Sequence, residues 1–298
     1  MRSTLVSLIL LFAISQILGI FTGHMVFQDM NKNPFVTDLV VNENTNDPGN
    51  ALFFIAYIIF SAVLMMVLIK YIGKFPWIFR LLEFGIISSS SSIVFYSFLR
   101  LGLDMELSTL GGIIIGLIFA AAKMLITKID LKNPAAILST AGVGVIFGVS
   151  LGFVPAVLFL VMLAIYDFLA VFISKHMVQL ATFVMEKNMA FTITVQNEEA
   201  EKEAQKEEGK IAAKTKKISD MDRRIDLGTG DLIAPLMLSV SVLQISIIAS
   251  VLVSLGAIIT FMAFLMFLRK EKVILPALPP IVFGMFLFFI IGKLAGLY

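Results

Sequence analysis

Long apolar runs recur along almost the whole of this chain, bounded by charged or polar clusters. A helix needs about 20 predominantly apolar residues to cross the hydrocarbon core of a bilayer. Nine stretches fit that length: about 4–23, 51–71, 78–99, 107–127, 134–151, 154–174, 231–249, 251–268 and 278–296. In lipid, every backbone polar group must be satisfied within its own segment, which restricts such runs to helices. Composition points the same way. At 59% hydrophobic and 15% charged, with a mean hydropathy of +0.97, a chain of 298 residues has too much apolar surface for a soluble domain to bury. The expected fold is all-α and polytopic, with nine transmembrane helices.

Some boundaries are tight. The first run, after Met1-Arg2-Ser3-Thr4, reads as a span, since it is long for a signal peptide and no small-x-small site follows Leu18. The fifth and sixth runs are separated only by Leu151-Gly152-Phe153-Val154-Pro155, and the seventh and eighth are one apolar run that we divide at Ala249-Ser250. The chain then divides into spans one to six (1–185), a cytoplasmic charged loop (186–230) and spans seven to nine (231–298). The loop's charged part, 198–226, reads as solvated linker. Before it, Ala190-Phe191-Thr192-Ile193-Thr194-Val195 is rich in β-branched residues and reads as a strand at 190–195.

Basic residues set the orientation. With the N-terminus inside, every Lys and Arg except Lys32, Arg100 and Lys293 falls on the inner side, while the first outer loop carries Asp29, Asp38, Glu43 and Asp47. The expected location is the cell membrane, with a cytoplasmic N-terminus and an extracytoplasmic C-terminus.

Several chemistries are excluded. The chain has no cysteine, which removes thiolate catalysis and cysteine-ligated metals. Its two histidines, His24 and His176, form no His-Glu-x-x-His pattern and lie far from Ser88 to Ser92, so neither zinc proteolysis nor a serine–histidine dyad is expected. Those serines read as helix packing or a wetted face, and Gly142, Gly144 and Gly148 as close helix contact. Glu83, three residues after Arg80, reads as one half of a local ion pair. Gln16 and Gln244 read as interhelical hydrogen bonds. No metal, organic cofactor or nucleic-acid partner is expected.

Two acids stand apart. Asp167 lies in Leu163-Ala164-Ile165-Tyr166-Asp167-Phe168-Leu169-Ala170-Val171, and Asp231 closes Gly228-Thr229-Gly230-Asp231 ahead of another apolar run. A charged side chain at membrane depth costs several kcal/mol, so an intramembrane acid marks a functional site by default. Both fall toward the inner end of their spans, and one loop joins those spans. Two adjacent carboxylates cannot both ionise, and a pair holding one proton can activate water and protonate a carbonyl oxygen. Ala164 and Ala170 keep the face of Asp167 small. Gly228 and Gly230 allow close backbone approach. Pro235 leaves the Asp231 carbonyl without its helical partner.

Tyr166-Asp167, Gly228-Thr229-Gly230-Asp231 and Leu275-Pro276-Ala277-Leu278-Pro279 resemble, in order and over essentially the whole chain, the three signatures of the presenilin and signal-peptide-peptidase family of intramembrane aspartyl proteases. The compact length and short loops resemble an archaeal presenilin homologue. The resemblance implies a presenilin-like fold and cleavage of peptide bonds in or near the transmembrane helices of substrate proteins. It makes Asp167 and Asp231 the catalytic pair. Tyr166, Gly228 and Gly230 would support the site, and Pro276, Ala277 and Leu278 would shape it. The expected partners are substrate helices and the lipid bilayer. A cation or proton pathway, or a helix-binding scaffold without catalysis, could use the same two acids.

Overall fold

The computed structural model describes residues 2–41, 44–72, 76–126, 131–169, 192–196, 224–271 and 277–298. In chain order these form α1 (Arg2–Asp29), the short α2 (Pro34–Thr37), α3 (Gly49–Ile72), α4 (Pro76–Leu99), α5 (Met105–Leu125), α6 (Lys132–Ser150) and α7 (Phe153–Leu169). They continue with β1 (Thr192–Gln196), β2 (Arg224–Gly228), α8 (Gly230–Val242), α9 (Ile247–Glu271) and α10 (Leu278–Leu294). Six helices, α1, α3, α4, α5, α6 and α9, are long and apolar enough to cross a membrane; α7, α8 and α10 are apolar but shorter.

Glycine decides where the helices meet. A Cβ on Gly112 of α5 would lie 2.8 Å from the Ser92 carbonyl oxygen and the Tyr96 nitrogen of α4, and one on Gly142 of α6 would lie 2.5 Å from the Ser90 carbonyl carbon. These helices therefore touch backbone to backbone, as lipid-embedded helices do when small residues line their seam. The serine run of α4 lies in that seam. Ser92 and Ser97 donate to carbonyls of their own helix, at 2.7 and 3.0 Å.

The same device builds the centre. Leu236 and Val240 of α8 seat against Gly144 and Gly148 of α6 on one side and Gly19 and Gly23 of α1 on the other. From Ala234 to Val242, every α8 residue is buried. A helix of 13 residues is tolerable here because most of its length is packed among other helices. On the far side of α6, Phe147 stacks on Phe159 of α7 at 6.2 Å and packs against Phe54 of α3 at 5.1 Å.

Polar contacts tie the ends. The Asp29 carboxylate accepts from Arg100 Nε at 2.8 Å and from the Tyr96 hydroxyl at 2.7 Å, and Asn33 donates to Thr109 at 2.9 Å. Together they join α1, α4 and α5.

Four expectations need correction. Glu83 is bonded to Lys123 on α5, while Arg80 is exposed. The buried Glu83 faces the neighbouring helix, where a cation compensates its lost hydration. The break between the seventh and eighth runs falls at 243–246, not at Ala249-Ser250. Ser246 Oγ accepts from the Ile248 amide at 3.1 Å and so caps α9. Buried Ser250 lies inside α9 and donates to the Ser239 carbonyl at 2.6 Å. Gln244 is exposed in that turn, whereas Gln16 does bridge helices, accepting from Ser239 at 3.3 Å. Finally, the expected linker 198–226 ends in structure. Its last residues belong to β2, which pairs antiparallel with β1 from Thr192↔Gly228 to Gln196↔Arg224.

Candidate active site

Asp167 lies near the end of α7, where the helix packs against α3, α8 and α10. Its side chain is buried, as is that of Ala164 one turn earlier. Ala170 and Pro276 lie outside the described residues. The carboxylate of Asp167 interacts with the Leu278 backbone amide beside it. Its Oδ2 is buried without a hydrogen-bond partner among the described residues.

Local sequence makes that amide available. The first backbone N–H groups of a helix have no partner within it. In α10, prolines at 279 and 280 follow Leu278, and the Ile281 amide turns back to the Ala277 carbonyl at 3.4 Å. Leu278 therefore carries the donor of the first helical position, and the helix dipole there favours an acidic neighbour. Ala277 and the Leu278 side chain are buried. In the sequence, the prolines marked this as a place where backbone groups are freed. The structure adds that Asp167 is the acid with which the Leu278 amide interacts.

Asp231 is the second residue of α8, after Thr229 at the N-cap position and Gly230. The Thr229 carbonyl accepts from the Leu232 and Ile233 amides at 3.1 and 2.9 Å, which closes the first turn. Pro235 is buried one turn later and gives no amide to the Asp231 carbonyl. Asp231 is half-buried and close enough to Asp167 to interact with it electrostatically. Tyr166, half-buried, interacts electrostatically with Asp167 as well.

β2 runs into this site, ending at Gly228. Neither glycine of the Gly-x-Gly-Asp segment has positive φ. A Cβ at Gly228 would meet nothing nearer than Asp231 Oδ2, at 3.9 Å, and one at Gly230 would meet nothing within 4 Å among the described residues. Packing among the described residues therefore does not demand these glycines, which leave space there beside Asp231. The pair, Tyr166, both glycines, Ala277 and Leu278 converge from α7, β2, α8 and α10. The strand leading to Asp231 went unread in the sequence, although Ile225 and Leu227 alternate with Arg224 and Asp226.

A bundle of apolar helices holding two interacting carboxylates, one of them buried, defines a membrane-embedded protein equipped for acid–base chemistry. The comparisons agree. The profile of the signal-peptide peptidase, presenilin aspartyl protease family matches residues 9–297. Two solved structures of a presenilin family intramembrane aspartate protease share the fold. One, in space group C222, has a TM-score of 0.64 and 22% identity and covers 98% of this chain and 99% of that one. The other, in space group P2, has a TM-score of 0.59 and 21% identity and covers 94% and 96%. No curated protein gives a match. The chain belongs to the signal-peptide peptidase and presenilin family of aspartyl proteases.

Proposed function

We propose that Asp167 and Asp231 are the catalytic pair of this intramembrane aspartyl endopeptidase and that they activate one water between them. The observation that carries this reading is the meeting of two carboxylates from different helices inside a bundle of apolar helices. One carboxylate takes a proton from the water as its oxygen bonds to the substrate carbonyl carbon. The other gives its proton to the carbonyl oxygen. The tetrahedral intermediate then collapses, the C–N bond breaks and the amine leaves with a proton from the pair. The Leu278 amide holds Asp167 in place through the cycle.

A peptide bond in a helix is shielded until the helix opens. β2 forms one edge of a two-stranded sheet and ends three residues before Asp231. An unwound substrate can add to that edge through main-chain hydrogen bonds, with the open space at Gly228 and Gly230 admitting its backbone. Substrates are then transmembrane helices of other proteins. In this reading α7, α8 and α10 complete nine spans in the cell membrane, with the N-terminus cytoplasmic by the distribution of Lys and Arg, and the compact chain fits an archaeal presenilin homologue.

The test uses the purified full chain with a single-span substrate in lipid. The wild type yields discrete fragments and is inhibited by a hydroxyl-bearing transition-state isostere. Asp167→Asn and Asp231→Asn each lose at least about a thousandfold in rate while unfolding at the wild-type temperature. Ion currents without fragments would favour a proton pathway, substrate binding without fragments a scaffold. Turnover surviving either substitution would overturn the assignment.

A further inference from the structure

Helix hydroxyls in this protein usually bond to a carbonyl one turn back: Ser89, Ser92, Ser97, Thr109, Ser239 and Thr260 all do so. That is the default for Ser and Thr inside a helix. Thr22 of α1 and Ser139 and Thr140 of α6 depart from it. The Thr140 side chain is fully buried, yet Oγ1 has no hydrogen-bond partner among the described residues. Such a group is costly unless something satisfies it.

Two sets of contacts fix its depth. Gly144 and Gly148 of α6 meet Leu236 and Val240 of α8. Four residues back along both parallel helices, Thr140 comes level with Leu232, the neighbour of Asp231. Phe147 of α6 stacks on Phe159 of α7. Phe159 lies on the helix that carries Asp167. Asp167 in turn interacts with Asp231, the neighbour of Leu232, so Thr140 shares the depth of the pair. At 100° per residue, Thr140 lies on the strip of α6 between its α8-facing glycines and its α7-facing Phe147. It borders the wedge between the two helices that carry the acids. Two further unpartnered buried oxygens are Ser139 Oγ, next to Thr140 in sequence, and Asp167 Oδ2, in the pair itself.

We propose that Thr140 is a positioning residue of the protease, holding with Asp167 a buried water beside the carboxylate pair. A buried water takes two to four polar partners, and two orphaned oxygens at one depth in an apolar interior supply the start of that set. The Thr140 hydroxyl can then donate or accept as the pair passes through its protonation states, so that the water keeps Asp167 oriented between proton transfers. The inference rests on the assignment of Asp167 and Asp231 as catalytic.

The experiment compares wild type, Thr140→Val and Thr140→Ser as full chains in lipid, with kcat and KM for a single-span substrate. Thr140→Val keeps the volume and removes the hydroxyl. Its kcat falls about tenfold, the worth of one water-mediated hydrogen bond, with KM within twofold of wild type. Thr140→Ser restores the hydroxyl and returns kcat to within about threefold of wild type. Full kcat in Thr140→Val overturns the proposal. So does a Thr140→Ser variant as slow as Thr140→Val, which would make the role one of packing. Thr140→Val failing to fold while Thr140→Ser folds and works at the wild-type rate supports the hydroxyl. Failure of both to fold makes the role structural and overturns it. Undiminished turnover by Asp167→Asn overturns the catalytic assignment itself, whatever Thr140 does.

Discussion

The Leu278 backbone amide at the start of α10 faces and interacts with the Asp167 side chain on α7. This contact links the Pro-Ala-Leu segment to the acid through main chain, so side-chain identity at 278 is secondary to the amide. Leu278→Ala keeps the donor and loses only packing. It should lower stability by about 2–4 kcal/mol while leaving kcat within about threefold of wild type. Leu278→Pro removes the donor at a first-turn position that tolerates proline. A hydrogen bond to a charged group is worth about 1.5–3 kcal/mol, so kcat should fall roughly ten- to a hundredfold. Thermal unfolding and kcat for both variants separate the two effects, and equal kcat would contradict the role of the amide.

Gly230 faces open space and has ordinary φ. Gly230→Ala should therefore leave the unfolding temperature within about 2 °C of wild type, since no cavity, strain or lost bond results. If the space is where the substrate backbone approaches, the added methyl raises KM several-fold at nearly constant Tm. An unchanged KM would place the substrate on another side of Asp231.

The parts of this structure that were legible in the sequence are those where one residue type contradicts its surroundings. Asp167 and Asp231 interrupt apolar runs, and Gly142, Gly144 and Gly148 sit where another backbone must come close. What stayed hidden depends on partners far along the chain. Glu83 has Arg80 as its obvious neighbour, but its cation is Lys123, forty residues on. The turn at 243–246 is concealed because Leu243 and Ile245 are as apolar as the helices beside it; only the cap Ser246 marks it. β2 was concealed by its charged surroundings, since its meaning comes from pairing with β1. The role of Thr140 follows from helix register, which no local pattern encodes.

The Glu83–Lys123 pair is buried on both sides, at 3% and 11% side-chain exposure. Removing one partner strands the other charge. Glu83→Gln or Lys123→Met alone should destabilise the chain by about 3–5 kcal/mol. The double variant Glu83→Met with Lys123→Met replaces ions by packing and should recover most of that loss. Thermal unfolding in one detergent checks the cycle. Additive losses would show that the pair carries no coupling.

Gly142 and Gly85 test the packing argument against each other. Both are helical glycines, so alanine should stabilise each by about 0.5–1 kcal/mol if only backbone entropy mattered. At Gly85 of α4 nothing lies within 4 Å of the added Cβ, and that small gain should appear. At Gly142 the same methyl runs into the Ser90 backbone of α4, with the Ser90 Cα 2.7 Å away. Backbone cannot rotate aside as a flexible side chain can, so α4 and α6 must separate along their seam. Overpacking of this kind costs about 1–3 kcal/mol. Gly142→Ala should thus lower the unfolding temperature where Gly85→Ala raises it. Because α6 also seats α8, whose first turn carries Asp231, Gly142→Ala should reduce kcat as well, while Gly85→Ala should not. Opposite signs in stability, with turnover lowered only in Gly142→Ala, would tie the serine–glycine seam to the placement of the two carboxylates.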